Sequence, residues 1–340
     1  MAKRRASLSW PAVFHRNVAT LTRMSVRAGS RSLGRGFAPL LAQRKAPVGA
    51  GDWLAGLVFG PTGAQRYRLF RPAGVKFGER LPLMVMLHGC GQDAKSFAAS
   101  TRMNVVAARE RFLVLYPEQD RLSNANGCWN WFETRSGRAQ GEAALIMAAI
   151  SQVCVLYAAD RDRVAVAGLS AGASMAALLV TRHPERFTSV TMHSGIAPGA
   201  ANSTLSAVGA MQGRRTPAPL TASANAAAAV WPPLMVIQGE GDAVVAVGNG
   251  RAAAQVWADA SGARAGAERG IQRGKRYPMT VTDFKARGVT QATLVQVGRL
   301  GHAWSGGAQD QRFSDGKGPD ASRMVWGFAS KQFTARQGSP

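Results

Sequence analysis

The stretch RVAVAGLSAG, residues 163–172, sets Ser170 between Gly168 and Gly172 at the end of an apolar run. A serine hydroxyl is a weak nucleophile until a neighbouring base takes its proton, and that base needs a carboxylate to orient it. If Ser170 performs acyl transfer, a histidine and an acid must be brought to it from elsewhere in the chain. Five histidines are available. His15 lies in a basic leader, His88 in the strand-end sequence HGCG, and His183 at the end of the helical segment that follows Ser170. His193 ends a predicted strand near the sheet edge, a weaker position, whereas His302 in RLGHAWSGG precedes a glycine loop from which an imidazole can reach a serine. His302 is therefore the predicted base. For the acid, PLMVIQGEGDAVV places Asp242 just beyond an apolar run, with Val244 and Val245 to shield it from water and Glu240 as its competitor. Negative charge developing on a carbonyl oxygen needs two aimed N–H donors. The expected pair is Ala171, directly after the serine, and Cys90 in HGCGQ, with Gly91 the next choice. The plainer reading of Ser170, the N-cap of an ordinary helix, stands beside this one.

These residues meet only if the elements between them alternate in a particular way. LPLMVMLHG (81–89) is a near-continuous apolar run stopped by glycine, the pattern of a buried parallel strand. RFLVLYPE (111–118), RVAVAG, TSVTMHSG (188–195), PPLMVIQGE (232–240) and ATLVQVGRLGH (292–302) read as further strands. Helical character marks AKSFAASTRMNVVAARER, the segment from Ala139 to Tyr157 and SAGASMAALLVTRHPERF. The alternation predicts an α/β fold with an open, mostly parallel central sheet, helices on both faces, and sites at the carboxyl ends of the strands. The chain order Ser170, Asp242, His302 is the nucleophile, acid, base order of α/β-hydrolases. Residues 199–230, rich in Ala, Ser, Thr and Pro, read as a mobile insertion over that edge. Residues 51–335 form the predicted catalytic domain.

At 340 residues and 46% apolar composition the chain is long enough for a large buried core and is not a disordered polymer. Its formal net charge is +23, and residues 1–50 hold ten of its 42 Lys/Arg and none of its 19 Asp/Glu. That segment reads as a basic leader. Its apolar Val13, Phe14, Val18, Leu21 and Met24 are interleaved with arginines, compatible with either a disordered leader or an amphipathic helix on an anionic surface. The same arginines interrupt the apolar stretch that a secretory signal requires. The remaining positive charge is scattered, so no specific nucleic acid is predicted as partner. No uncharged apolar run reaches the length of a membrane span, so none is predicted. The three cysteines, Cys90, Cys128 and Cys154, show no metal-ligand spacing, and no metal is predicted.

LHGCGQ, CWNWF (128–132), DRVAVAGLSAGASMA, GEGD and GHAWSGG follow one another along the chain. In that set and order the sequence resembles the poly(3-hydroxybutyrate) depolymerase family of esterases, related to acetyl xylan and feruloyl esterases, over roughly residues 52–335. The resemblance implies a cofactor-free serine esterase with Ser170, Asp242 and His302 as triad and Cys90 as oxyanion donor. It also implies a disulfide between Cys90 and Cys128 and, from secreted relatives, an extracellular location; a cytoplasmic location is the alternative, because no clear secretory signal is read. The implied substrates are poly(3-hydroxybutyrate), its oligomers and short acyl esters. A carbohydrate esterase is the alternative, and a basic surface- or granule-binding protein with secondary catalysis is a reading of another class. Trp129, Trp131 and Trp304 read either as an aromatic wall for substrate or as core packing. Two residues depart from the family pattern: Ala173, where a third glycine is common, and Gln238, where a histidine is frequent.

Overall fold

The apolar run at 81–87 becomes β3 (Leu81–Leu87), and all seven of its residues are buried. A computed structural model of the chain describes residues 48–220 and 231–337, all within one unit, Ala46–Pro340. The predicted leader up to residue 47, His15 and the amphipathic pattern from Val13 to Met24 lie outside the described residues. Around β3 the other buried runs form β4 (Leu113–Glu118), β5 (Ala159–Leu169), β6 (Ser189–His193), β7 (Leu234–Gly239) and β11 (Val289–Val297). These pair in parallel in the order β4-β3-β5-β6-β7-β11. The sheet is extended antiparallel at both ends. β1 (Gly51–Gly60) and β2 (Gly63–Pro72) form a hairpin that joins β4 through β2. β10 (Met279–Ala286) joins β11, and the short β8 (Arg264–Ala265) and β9 (Arg269–Ile271) pair with β10.

Successive strand residues point to opposite faces. Met84 and Met86 of β3 share one core with Phe97 and Met103 of α1 (Ala94–Thr101) and α2 (Met103–Glu110), and with Val325 and Phe333 of α7 (Ala321–Gln337). Leu83, Val85 and Leu87 face the other way. There the sheet is covered by α3 (Arg138–Leu156), α4 (Ala171–Arg182) and α6 (Gly248–Ala260). The predicted sheet with helices on both faces is thus the architecture found. α3 does meet the length and composition of a membrane span, contrary to expectation; 56% of its apolar window is buried in this domain, as in a core helix.

Two local expectations change. The single helix read over AKSFAASTRMNVVAARER is two helices, because Arg102 adopts a left-handed conformation (φ 55°) that ends α1 before α2 begins. Within the expected mobile insertion, TLSAVGAM forms α5 (Thr204–Met211). It starts at Ser203, whose side chain accepts the Ser206 N–H while Ser206 bonds back, a reciprocal cap on an alanine-containing segment. Thr204 Oγ1 reaches the Glu133 carboxylate, and Asn249 Nδ2 donates to the Ala210 carbonyl, so α5 is tied at both ends. Residues 221–230 of the same expectation lie outside the described residues.

Candidate active site

The site is built on the carboxyl ends of β3, β5, β7 and β11. β5 ends at Leu169 and α4 begins at Ala171, leaving Ser170 alone in the turn with φ 57° and ψ −121°. A non-glycine residue held there is strained, and its hydroxyl is presented at the start of a helix. The turn is fixed by the Ser170 N–H, which donates to the His193 carbonyl on β6 at 2.9 Å. Both flanking glycines are required by close approach. A Cβ on Gly168 would lie 2.4 Å from the Gly172 carbonyl, and one on Gly172 would lie 2.1 Å from the Leu87 carbonyl at the end of β3. The side chain of Ser170 accepts no bond from the first turn of α4, which is not the geometry of an N-cap.

The acid and the histidine arrive on two loops packed together. Gly241 N–H donates to the Leu300 carbonyl at 2.9 Å, and a Cβ on Gly239 would sit 2.3 Å from that same oxygen. This brings His302 Nδ1 to 2.8 Å from Asp242 Oδ2, with the two side chains 5% and 0% exposed. A carboxylate only accepts, so Nδ1 carries a proton, and in the neutral imidazole it is Nε2 that offers a lone pair. The other Asp242 oxygen accepts the N–H groups of Val244 and Val245, each at 2.9 Å. Burial pushes the Asp242 carboxyl up, but the His302 and backbone hydrogen bonds outweigh it and hold it below the usual value. Glu240, the competing acid, is exposed, and its N–H bonds the Val297 carbonyl.

Gln238, which departs from the family pattern, touches this pair directly: it is fully buried, and its Nε2 donates to Asp242 Oδ2 at 3.3 Å and to the Val245 carbonyl. The remaining described histidines are engaged elsewhere. His88 Nε2 accepts the Gln119 N–H, and His193 Nε2 accepts the Ser305 N–H, each at 3.1 Å. His183 caps the far end of the twelve-residue α4, about 18 Å along the axis from Ser170.

The expected oxyanion donors belong to the first residue of α4 and to the loop after β3. The loop after β3 passes so close that a Cβ on Gly89 would be 3.6 Å from the Ser170 Cβ. Among the described residues neither the Cys90 nor the Ala171 N–H donates to a protein acceptor, whereas the Gly91 N–H is taken by the Asn126 carbonyl at 2.9 Å. Cys90 is bonded to Cys128, the pairing the resemblance implied, and Cys154 is a buried free thiol. The tryptophans require correction. Trp129 and Trp304 are fully buried; their indole N–H groups donate to the His88 carbonyl and Ser322 Oγ, and Trp304 stacks on His193. Their rings are core and offer no face to a substrate, because neither residue has any exposed surface. Trp131 is also buried, at 7% exposure, edge-on to Phe132. Among the described residues no group of three or more His, Cys, Asp or Glu could hold a metal ion.

A mostly parallel sheet with a strained serine turn after β5, and an acid and histidine on the loops after β7 and β11, defines the class: this is an α/β-hydrolase fold. The family profile described as esterase PHB depolymerase matches residues 65–272, more than half of the chain, and the chain belongs to that family. The matched region contains Ser170 and Asp242 and stops short of His302. Poly(3-hydroxyalkanoate) depolymerase C of Paucimonas lemoignei is 37% identical over 115 residues, 34% of this chain and 28% of that protein. Feruloyl esterase B of Neurospora crassa is 32% identical over 143 residues, 40% of this chain and 48% of that one. The chain thus spans less than half the length of these relatives. Among solved structures, an acetyl xylan esterase from Aspergillus awamori superposes with a TM-score of 0.62 at 19% identity, covering 82% of this chain and all of that one.

Proposed function

We propose that the protein is a serine carboxylic-ester hydrolase working through an acyl-enzyme, with poly(3-hydroxybutyrate), its oligomers and short acyl esters as substrates. The observation that carries this reading is the buried Asp242–His302 hydrogen bond at 2.8 Å, on loops at the same carboxyl edge of the sheet as Ser170 in its strained turn. His302 Nε2 takes the proton from Ser170 as Oγ bonds to the ester carbonyl carbon. The carbonyl oxygen becomes an oxyanion that accepts the Cys90 and Ala171 N–H groups. The alcohol leaves with the proton from His302, and the acyl group remains on Ser170. A water, deprotonated by His302, then attacks the acyl carbon, and Ser170 recovers its proton as the acid departs. Asp242 stays ionised throughout, which its lowered pKa favours.

The polyester reading is supported by similarity to the Paucimonas depolymerase. A carbohydrate-ester reading is supported by similarity to feruloyl esterase B. Hydrolysis of p-nitrophenyl esters from acetate to octanoate by wild type and Ser170→Ala tests the chemistry. The expected result is a short-chain optimum and a loss of about 10⁴-fold or more in kcat in the variant. A variant as active as wild type would remove Ser170 from the mechanism. Release of 3-hydroxybutyrate from amorphous polymer, against release of acetate or ferulate from xylan, then decides between the substrate classes.

A further inference from the structure

The mechanism makes no use of a carboxylate buried beneath the oxyanion loop. Glu142, on the second turn of α3, is 6% exposed and has no ion-pair partner among the described residues. It is nonetheless saturated with donors. Oε1 accepts Gln119 Nε2 at 2.7 Å and Asn130 Nδ2, and Oε2 accepts the Asn130 backbone N–H at 2.8 Å. Each donor belongs to a residue that also holds the segment bearing Cys90. Gln119 Nε2 donates to the Cys128 carbonyl at 2.9 Å, and the Gln119 N–H donates to His88 Nε2, two residues before Cys90. Asn130 Oδ1 accepts Asn124 Nδ2 at 2.8 Å, Asn124 Oδ1 accepts the Asn126 N–H, and the Asn126 carbonyl accepts the Gly91 N–H. Trp129 Nε1 adds a bond to the His88 carbonyl at 3.1 Å, and the Cys90–Cys128 disulfide closes the circuit. Glu142 is therefore the shared acceptor of two routes that meet at Cys90, one through the disulfide and one through the Gly91 amide.

We propose that Glu142 is a positioning residue for the oxyanion hole, setting the Cys90 N–H through Gln119, Asn130 and the Cys90–Cys128 link. This rests on the reading of Cys90 as an oxyanion donor. A buried carboxylate suits the task because it accepts several bonds at once, and charge-assisted bonds are shorter and stronger than neutral ones. Burial pushes the Glu142 carboxyl up, while the Asn130 and Gln119 bonds and the nearby Arg138 oppose that shift. A donor aimed at a transition state tolerates little displacement, and a misplacement of about 1 Å costs on the order of 10²-fold in rate.

The test is Glu142→Gln in the full chain, whose amide nitrogen would face either the Asn130 N–H or the donors now on Oε1. Two quantities are read at a temperature where near-ultraviolet circular dichroism matches wild type: kcat and KM for p-nitrophenyl butyrate, and Ki for a trifluoromethyl ketone whose serine adduct carries an oxyanion. The expected result is kcat lower by about 10- to 100-fold, Ki higher by a similar factor, and KM moved by less than about threefold. A folded variant with unchanged kcat and Ki overturns the proposal and leaves Glu142 a purely structural acceptor. If Glu142→Gln does not fold, Gln119→Leu carries the same test, because it cuts the links to Cys128 and Glu142 and keeps the backbone bond to His88. Ser170→Ala runs in parallel. If it retains activity the catalytic reading itself has failed, whereas an inactive Ser170→Ala beside a normal Glu142→Gln rejects the positioning role alone.

Discussion

His88 and His193 are imidazoles buried without charge, and each uses Nε2 as an acceptor for a backbone N–H. Protonation would destroy that bond and place a cation in the core. Burial drives the His88 pKa down to about 4, against smaller upward contributions from the Gly89 carbonyl and Asp93. His193 falls to about 3 through burial and then through electrostatic repulsion from His302, partly offset by Asp242. Both folded values lie below the ordinary 6.5, so the unfolded chain takes up protons first as pH falls. The stability each contributes is complete above about pH 6.5 and is lost as pH drops toward 4 and 3. The loss at pH 4 is on the order of 3 kcal/mol per histidine. Urea unfolding of wild type and His88→Asn between about pH 6.5 and 4 checks this. The variant starts less stable, and its dependence on pH is expected to be shallower by about 1.4 kcal/mol per pH unit. Parallel curves for the two proteins would show that His88 is not the buried neutral base described.

Among the elements, the loop after β3 and the segment 128–132 behave as one piece because Cys90 and Cys128, 38 residues apart, are joined. Closing a loop of that length restricts the unfolded chain, by up to about 4 kcal/mol in the chain-entropy account. Replacing both cysteines by serine is expected to lower the unfolding free energy by up to that amount. kcat should fall further than KM rises, since Cys90 is the donor tethered. Chemical denaturation and ester kinetics on the same sample read both effects, and a double variant with unchanged kcat would show that the hydrogen bonds alone hold the loop. This coupling was only partly legible in the sequence. β3, the second half of β5 and most of β7 were readable because strands buried on both faces form near-continuous apolar runs, and the glycines around Ser170 were readable because a side chain has no room there. The β1–β2 hairpin was not: WLAGLVF in β1 is an apolar run, but it lies on an edge strand where only Val58 is buried, so its composition and its burial part company. α5 was hidden by an Ala-, Ser- and Thr-rich composition shared with loops. The roles of Glu142 and Gln238 were hidden for a different reason: each acquires its role from partners set by tertiary packing. Trp129 and Trp304 misled because a sequence does not reveal whether an indole N–H points inward to a carbonyl or outward to solvent.

At the scale of the whole molecule the dominant quantity is charge. The chain carries +23, and ten of its basic residues precede the first acid, Asp52. Among the described basic side chains, Arg109, Arg111, Arg163, Arg269 and Arg323 pair with Glu110, Glu79, Asp160, Asp283 and Asp320, whereas the segment before Asp52 has no acid of its own. We propose that residues 1–45 give the enzyme its attraction to anionic surfaces while the unit Ala46–Pro340 carries the chemistry. Near an anionic membrane each Lys or Arg contributes about 1 kcal/mol, an attraction that salt screens within a Debye length of about 10 Å at 0.1 M. Deleting residues 1–45 is therefore expected to weaken binding to phosphatidylserine-containing vesicles, with a shallower dependence on salt, and to leave kcat/KM for p-nitrophenyl butyrate unchanged. Co-sedimentation across a salt series, with ester kinetics on the same preparations, measures both. Undiminished vesicle binding would assign the attraction to the arginines scattered over the catalytic unit. A fall in kcat/KM would mean that the basic segment serves the site itself.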